Sequence, residues 1–208
     1  MFGLPVTTAI NQPLSKKAVY EKFNLKASER ERFDADISRL TLVARISTAT
    51  VPALTEGNEI KGIYVLQVVL KRKEYDPKNI LLLQKLIPQN IVFALQHEDK
   101  TQLCIFHTRL QQSEWMSTDE VNIPLCGLSL DKVWLNIVAT IGGLDNEAEA
   151  TLEEQIVNRE QREKLHHQME QLEKRCRAEK QTHRRYELHQ EILKLKAQLL
   201  RLSIEEIQ

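Results

Sequence analysis

From residue 146 to residue 205 the chain contains neither glycine nor proline, and its side chains are mainly Glu, Gln, Lys, Arg and Leu. These are good helix formers, and nothing in the run interrupts a helix. Drawn as one helix, the run is about 90 Å long at 1.5 Å per residue. A rod of that kind has no core of its own, so its apolar stripe has to be covered by another helix. The stripe reads Leu165, Met169, Leu172 and Cys176, then Glu179, His183 and Tyr186, at spacings alternating between four and three. A second frame, Leu188, Ile192, Leu195, Leu199 and Leu202, is out of register with the first, and Leu193 and Leu200 widen its face. The end of the tail is therefore expected to dock into a bundle or onto a partner. Residues 145–208 are read as a long charged coiled-coil helix.

Charge along this tail is uneven. Residues 147–173 carry eight acidic and three basic side chains, and residues 174–208 carry nine basic and five acidic. Two such rods running in the same direction set like charge against like, whereas an antiparallel pair sets acid against base. Single surface ion pairs contribute only about 0–1 kcal/mol, but the summed repulsion selects orientation. The expected arrangement is antiparallel, either a homo-oligomer of chains or a fold-back near residues 181–185. The lack of glycine or proline there favours separate chains.

Residues 1–144 read as a compact domain, so the fold class is α+β: an α/β N-terminal domain with a mixed sheet, followed by the long helix. Residues 1–26 look irregular, apart from a short helix capped by Ser15 and running to Phe23. Ser28 and Glu31 have the spacing of a capping box, which places a helix over 29–38. Leu40–Ile46 reads as a strand. Residues 60–71, IKGIYVLQVVLK, are apolar on both faces, as a central strand covered on both sides should be. Asp76-Pro77 starts a helix and Pro88 stops it. Ile91–Gln96 and Leu103–Leu110 read as two more strands joined by a turn at Glu98–Lys100. The core is thus strand–helix–strand–strand, its first two strands parallel across a crossover. Ser129 caps a last helix carrying Val133, Trp134, Ile137, Val138 and Ile141, and Gly142-Gly143 ends it.

Bulk properties exclude several function classes. Lys plus Arg and Asp plus Glu both total 29, so no global field draws the chain to nucleic acid or membrane. Cys104, Cys126 and Cys176 are far apart and make no CxxC pair, which argues against a zinc site and a disulfide framework and suits a reducing cytosol. The N-terminus lacks the pattern of a signal peptide, and no apolar run is long enough to span a bilayer. A cytoplasmic protein without membrane association is expected, with no metal or other cofactor.

The chemistry-bearing candidates are sparse. Lys174, Arg175, Arg177, Lys180, Arg184 and Arg185 place six cations within twelve residues, a possible phosphate-binding stripe. The plainer reading is a face paired with the acidic half of the tail, which is favoured because that half supplies the counter-charge. Lys71, Arg72 and Lys73 close the central strand just before a helix N-terminus, where anions are favoured; an ordinary charged strand end is the plainer reading. The element order also resembles the restriction-endonuclease core, which needs a metal-binding acid and a D/E-x-K motif. Glu59-Ile60-Lys61 matches the short motif, but charged residues make up 28% of the chain, so three-letter matches are cheap. Gln67 occupies the place on the central strand where a metal-binding carboxylate would be wanted. An active nuclease is disfavoured.

The opening MFGLP, the Pro13–Lys17 stretch before Tyr20, FDADISRLTLVARIS at 33–47, IYVLQVVLK at 63–71 and LIPQNIVFAL at 86–95 resemble a family of bacterial proteins known only as a domain of unknown function. The resemblance covers most of residues 1–144, and the tail is similar only in being long and charged. Members tend to be encoded beside SNF2-like or DEAD-box helicases and DNA methyltransferases in restriction-like or phage-defence clusters. The resemblance therefore implies an accessory subunit of a DNA-acting complex, with a helicase or methyltransferase as partner and DNA as a second possible ligand. It implies no catalytic residue.

Overall fold

The computed structural model describes residues 1–87, 89–144 and 151–205, with residues 200–205 as backbone only. The chain divides into two compact units, Met1–Asn146 and Glu147–Gln208.

The first unit is α+β. Its elements are β1 (Ala9–Leu14), α1 (Lys16–Phe23), α2 (Ala27–Asp36), β2 (Ile37–Ile46), β3 (Ile63–Leu70), α3 (Pro77–Leu86), β4 (Asn90–His97), β5 (Lys100–Phe106), β6 (Leu110–Gln112), β7 (Met116–Ser117) and α4 (Leu130–Gly142). The strands form one mixed open sheet in the order β1-β2-β3-β4-β5-β6, with β7 also pairing β5. β3 and β4 run parallel across α3, and the other neighbours are antiparallel. β3 is central, as its two apolar faces require. One face puts Leu66, Val68 and Leu70 into a cluster with Phe93 of β4, Val19 of α1, Phe33 of α2 and Ile80 and Leu83 of α3. Alternation along the strands sends Val65, Val92, Leu103 and Ile105 to the opposite face, where they are buried. α4 packs against β5 and β6 and buries Val133, Trp134, Ile137, Val138 and Ile141.

Three local expectations are corrected. The strand expected over Leu103–Leu110 ends at Phe106, and Leu110 starts β6, which turns back to pair with β5. Residues 9–14 are not irregular but form the edge strand β1, paired with β2 around a register shift. Almost all its side chains are exposed, so no apolar alternation announces it, and an edge tolerates Pro13. The capping box of α2 lies two residues earlier than expected. The Lys26 amide donates to Glu29 Oε2 at 2.8 Å, so Glu29 rather than Glu31 reaches back.

The second unit differs from a single rod. It holds two helices, α5 (Leu152–Ala178) and α6 (Thr182–Glu205), packed on each other. They are antiparallel: Cys176 Sγ lies 3.6 Å from the Arg185 carbonyl oxygen near the elbow, and Lys196 Nζ lies 3.9 Å from Glu173 Oε1 further along. No glycine is needed at the elbow, because Glu179 leaves the helix in an ordinary extended conformation, φ −74°, ψ 125°, that any L-residue adopts. Its carboxylate then accepts the Gln181 amide at 2.9 Å, supplying negative charge at the start of α6. The out-of-register frames are what a fold-back produces: Leu165, Met169, Leu172 and Cys176 on α5 and Leu188, Ile192, Leu195 and Leu199 on α6 are all buried or half-buried. Tyr186 is not part of that seam, since it is 63% exposed. Leu202 lies outside the described side chains.

Candidate functional site

In sheets with parallel strands, ligands commonly bind beyond the carboxyl ends of those strands. Here that end holds a polar cluster. β2 starts beside the end of β3, Ile37 facing Leu70, so Asp36 meets the loop that leads into α3. Its side chain is 1% exposed. It accepts from Arg72 Nε at 2.7 Å, from the Asp76 amide at 2.9 Å and from Asn79 Nδ2 at 2.8 Å. Arg72 Nη2 also contacts Asp36 Oδ1, which makes the guanidinium a two-pronged partner. Asp76 caps α3 by accepting the Lys78 amide at 2.9 Å.

This geometry redefines the Lys71-Arg72-Lys73 candidate. Arg72 is held by Asp36 and is not free for a phosphate. The N-terminus of α3 is filled by the carboxylates of Asp36 and Asp76, which repel a further anion. Lys71 is exposed, and Lys73 Nζ lies 5.8 Å from the ring centre of Trp115, within cation–π range.

Around this core the other polar groups are also partnered. Lys16 Nζ and Tyr20 Oη each donate to Asp34 Oδ1 at 2.5 Å. Partial burial pushes the Asp34 carboxyl up. The hydrogen bonds from Lys16 and Tyr20, with the Lys16 and Lys71 charges, outweigh it and hold the group below the usual carboxylate range. Tyr75 Oη donates to Gln102 Oε1 at 2.9 Å and accepts from Gln112 Nε2 at 2.7 Å. Burial pushes the nearby Cys104 thiol up to about 12, so it is an inert core group rather than a nucleophile. Gln67 donates to Gln96 Oε1 at 2.6 Å across the β3–β4 pair.

Glu59 and Lys61 lie elsewhere. Both are exposed and precede β3, so the D/E-x-K match is in a loop rather than on the central strand. Lys61 Nζ donates to the Gly57 carbonyl at 3.0 Å and sits 3.6 Å from Glu56 Oε2. Asp131 organises that loop by accepting the amides of Asn58 (2.6 Å), Glu59 (3.3 Å) and Ile60 (2.8 Å). The Ile60 amide above all, with those of Asn58 and Glu59, holds its carboxyl below the usual range. The eight residues of β3 put about 26 Å between this loop and Asp36. The structure thus does not bring Glu59 and Lys61 to the acids at 34 and 36. Among the described residues no group of three or more His, Cys, Asp or Glu side chains is placed to hold a metal ion, and no helix is long and apolar enough to cross a membrane.

The basic run of the tail fares differently. Folding back places Lys174, Arg175 and Arg177 at the end of α5, Lys180 in the elbow, and Arg184 and Arg185 in the first turns of α6. Arg177 is 3.7 Å from Glu173 and Arg184 is 4.0 Å from Glu179. Among the described residues, Lys174, Arg175, Lys180 and Arg185 have no ion-pair partner. Of the acidic half at 147–173, which was expected to neutralise them, Glu173 reaches Arg177 and Lys196, whereas Glu153, Glu154, Glu160 and Glu163 lie toward the other end of α5. Glu163 is eleven residues from Lys174, about 16 Å along the helix and beyond the ~8 Å over which exposed charges interact at physiological salt.

The chain matches the family model described as a domain of unknown function, DUF4391, over residues 2–199. It belongs to that family. The match runs through both units, whereas the resemblance read from the sequence covers most of residues 1–144. No curated protein and no solved structure matches the chain. The family's description supplies no activity, so any reading of function has to come from the surfaces just described.

Proposed function

We propose that the chain is a non-catalytic accessory subunit of a DNA-acting complex, and that the elbow of its helical hairpin is the surface that meets nucleic acid. The observation that supports this reading is the gathering of six cations at the elbow, four of them without an ion-pair partner among the described residues. A concentrated positive site on a firm helical support gains affinity by releasing counterions from the phosphate backbone. The α/β unit serves as the body that holds a helicase or methyltransferase subunit, in the restriction-like, phage-defence setting that the family resemblance implies.

The test is the salt dependence of DNA binding by the full chain, measured by fluorescence anisotropy. With about four phosphates neutralised, log K should fall with log salt at a slope near −3.6. Replacing Lys180 and Arg185, two of those four cations, with glutamate should flatten the slope by about 2 and leave the helical content unchanged. Binding that is insensitive to salt, or a double variant with the wild-type slope, would refute the elbow as the site.

A further inference from the structure

The helix breaks at Glu179, but the spacing of the first heptad frame recurs in the sequence beyond the elbow. The series Leu165, Met169, Leu172, Cys176, Glu179, His183, Tyr186 continues as Gln190, Leu193 and Ala197, with the same alternation of spacings. On α6 these positions form a stripe distinct from Leu188, Ile192, Leu195 and Leu199, which face α5. Tyr186 is 63% and Leu193 46% exposed, Ala197 is exposed as well, and Gln190 between them is half-buried. α6 therefore carries two heptad stripes and α5 covers only one. A helix with a second apolar seam of that period is built to contact a second helix.

We propose that the outer stripe of α6 pairs with the same stripe of a second copy of this chain, antiparallel, giving a four-helix dimer of two hairpins. Charge complementarity selects both occupant and direction. Setting Gln190 opposite the partner copy's Leu193 brings Glu187 beside the partner copy's Lys194, and the two-fold axis repeats that pair. Within the chain, Glu187 Oε1 lies 3.3 Å from His183 Nδ1 on the same helix. Parallel pairing would instead stack two basic elbows. Antiparallel pairing sends the elbows to opposite ends. With the axis between residues 190 and 193, they stand about 35 Å apart along the helix axis. That is close to the 34–36 Å of one turn of duplex DNA, a match that matters only if the elbow binds DNA as proposed above.

Sedimentation velocity on the full chain without DNA tests the dimer separately from the elbow. A concentration-dependent monomer–dimer equilibrium is expected. Leu193→Glu should abolish it without loss of helix signal, since the side chain lies outside the α5–α6 seam. Glu187→Lys and Lys194→Glu should each weaken the dimer about tenfold, and the double exchange should restore it. A chain that stays monomeric across the series overturns the proposal. Single charge reversals that leave the dimer unchanged overturn the antiparallel register. Either result leaves the salt-slope experiment to stand or fall by itself.

Discussion

Replacing Asp36 separates a structural acid from a catalytic one. Its carboxylate is 1% exposed and takes hydrogen bonds from Arg72, the Asp76 amide and Asn79 Nδ2. Alanine removes the acceptor of all three. Arg72 has a side chain 58% exposed, so it rehydrates at little cost. The Asp76 amide and the buried Asn79 amide group do not, and an unmatched buried donor costs about 1–3 kcal/mol. Asp36→Ala should therefore lose about 3–5 kcal/mol, the range for breaking one side of a buried pair. That corresponds to roughly 8–15 °C in a unit of this size. Arg72→Met leaves a buried carboxylate that keeps two N–H donors, so it should lose about 2 kcal/mol. Urea unfolding followed by tryptophan fluorescence measures this cleanly, because Trp115 and Trp134 are the only tryptophans and both lie in the α/β unit. An Asp36→Ala variant within about 1 kcal/mol of wild type would refute the account of this cluster as a structural tie between β2, β3 and α3.

The other perturbations address separate parts of the molecule. Asp34 has a folded pKa below its unfolded value, so its contribution is complete above the unfolded pKa and disappears as pH falls through the folded one. The side chain is 43% exposed, and solvent screening limits the effect. Asp34→Asn should lose about 0.5–1 kcal/mol at neutral pH and nothing at strongly acid pH, as read from urea midpoints at both. Ile192 is 4% exposed and packs in the hairpin seam; Ile192→Ala should lose about 2–4 kcal/mol. The loss should show as earlier thermal melting at 222 nm with the tryptophan signal unmoved.

How much of this was legible in the sequence depended on whether one local signal decided the element. β3 was readable because residues 63–70 are apolar on both faces, and only a central strand buries both. α3 and α4 were readable from the Asp76-Pro77 and Ser129 caps, whose side chains accept from Lys78 and Lys132. β1 was not, because it is held by backbone bonds at an edge and its side chains carry no pattern. The break between α5 and α6 was missed for a related reason. Glu179 is a good helix former, and what ends the helix there is an extended backbone stabilised by its own carboxylate, together with the match of two apolar frames across the fold. The frame shift between Cys176 and Leu188 was the visible sign. The Asp36–Arg72 pair was hidden because its partners are 36 residues apart in sequence and meet only through the β2–β3 register.

What remains available for a ligand follows from which groups the fold has already satisfied. At the carboxyl end of the parallel strands, Asp36, Arg72, Asn79, Asp34, Tyr75 and Gln102 all have protein partners, and two carboxylates occupy the start of α3. A ligand arriving there would have to displace existing hydrogen bonds, each worth about 1 kcal/mol net and more where charge is involved. At the elbow, Lys174, Arg175, Lys180 and Arg185 are hydrated cations on a helical support, and binding displaces only water and counterions. Along the outer stripe of α6, Tyr186 and Leu193 are apolar groups facing water, and covering them is favourable by about 25 cal/mol per Å². The place where sheet architecture predicts a site is thus occupied by the protein's own hydrogen bonds, whereas the hairpin offers both a cluster of cations without ion-pair partners among the described residues and a stripe with exposed Tyr186 and Leu193.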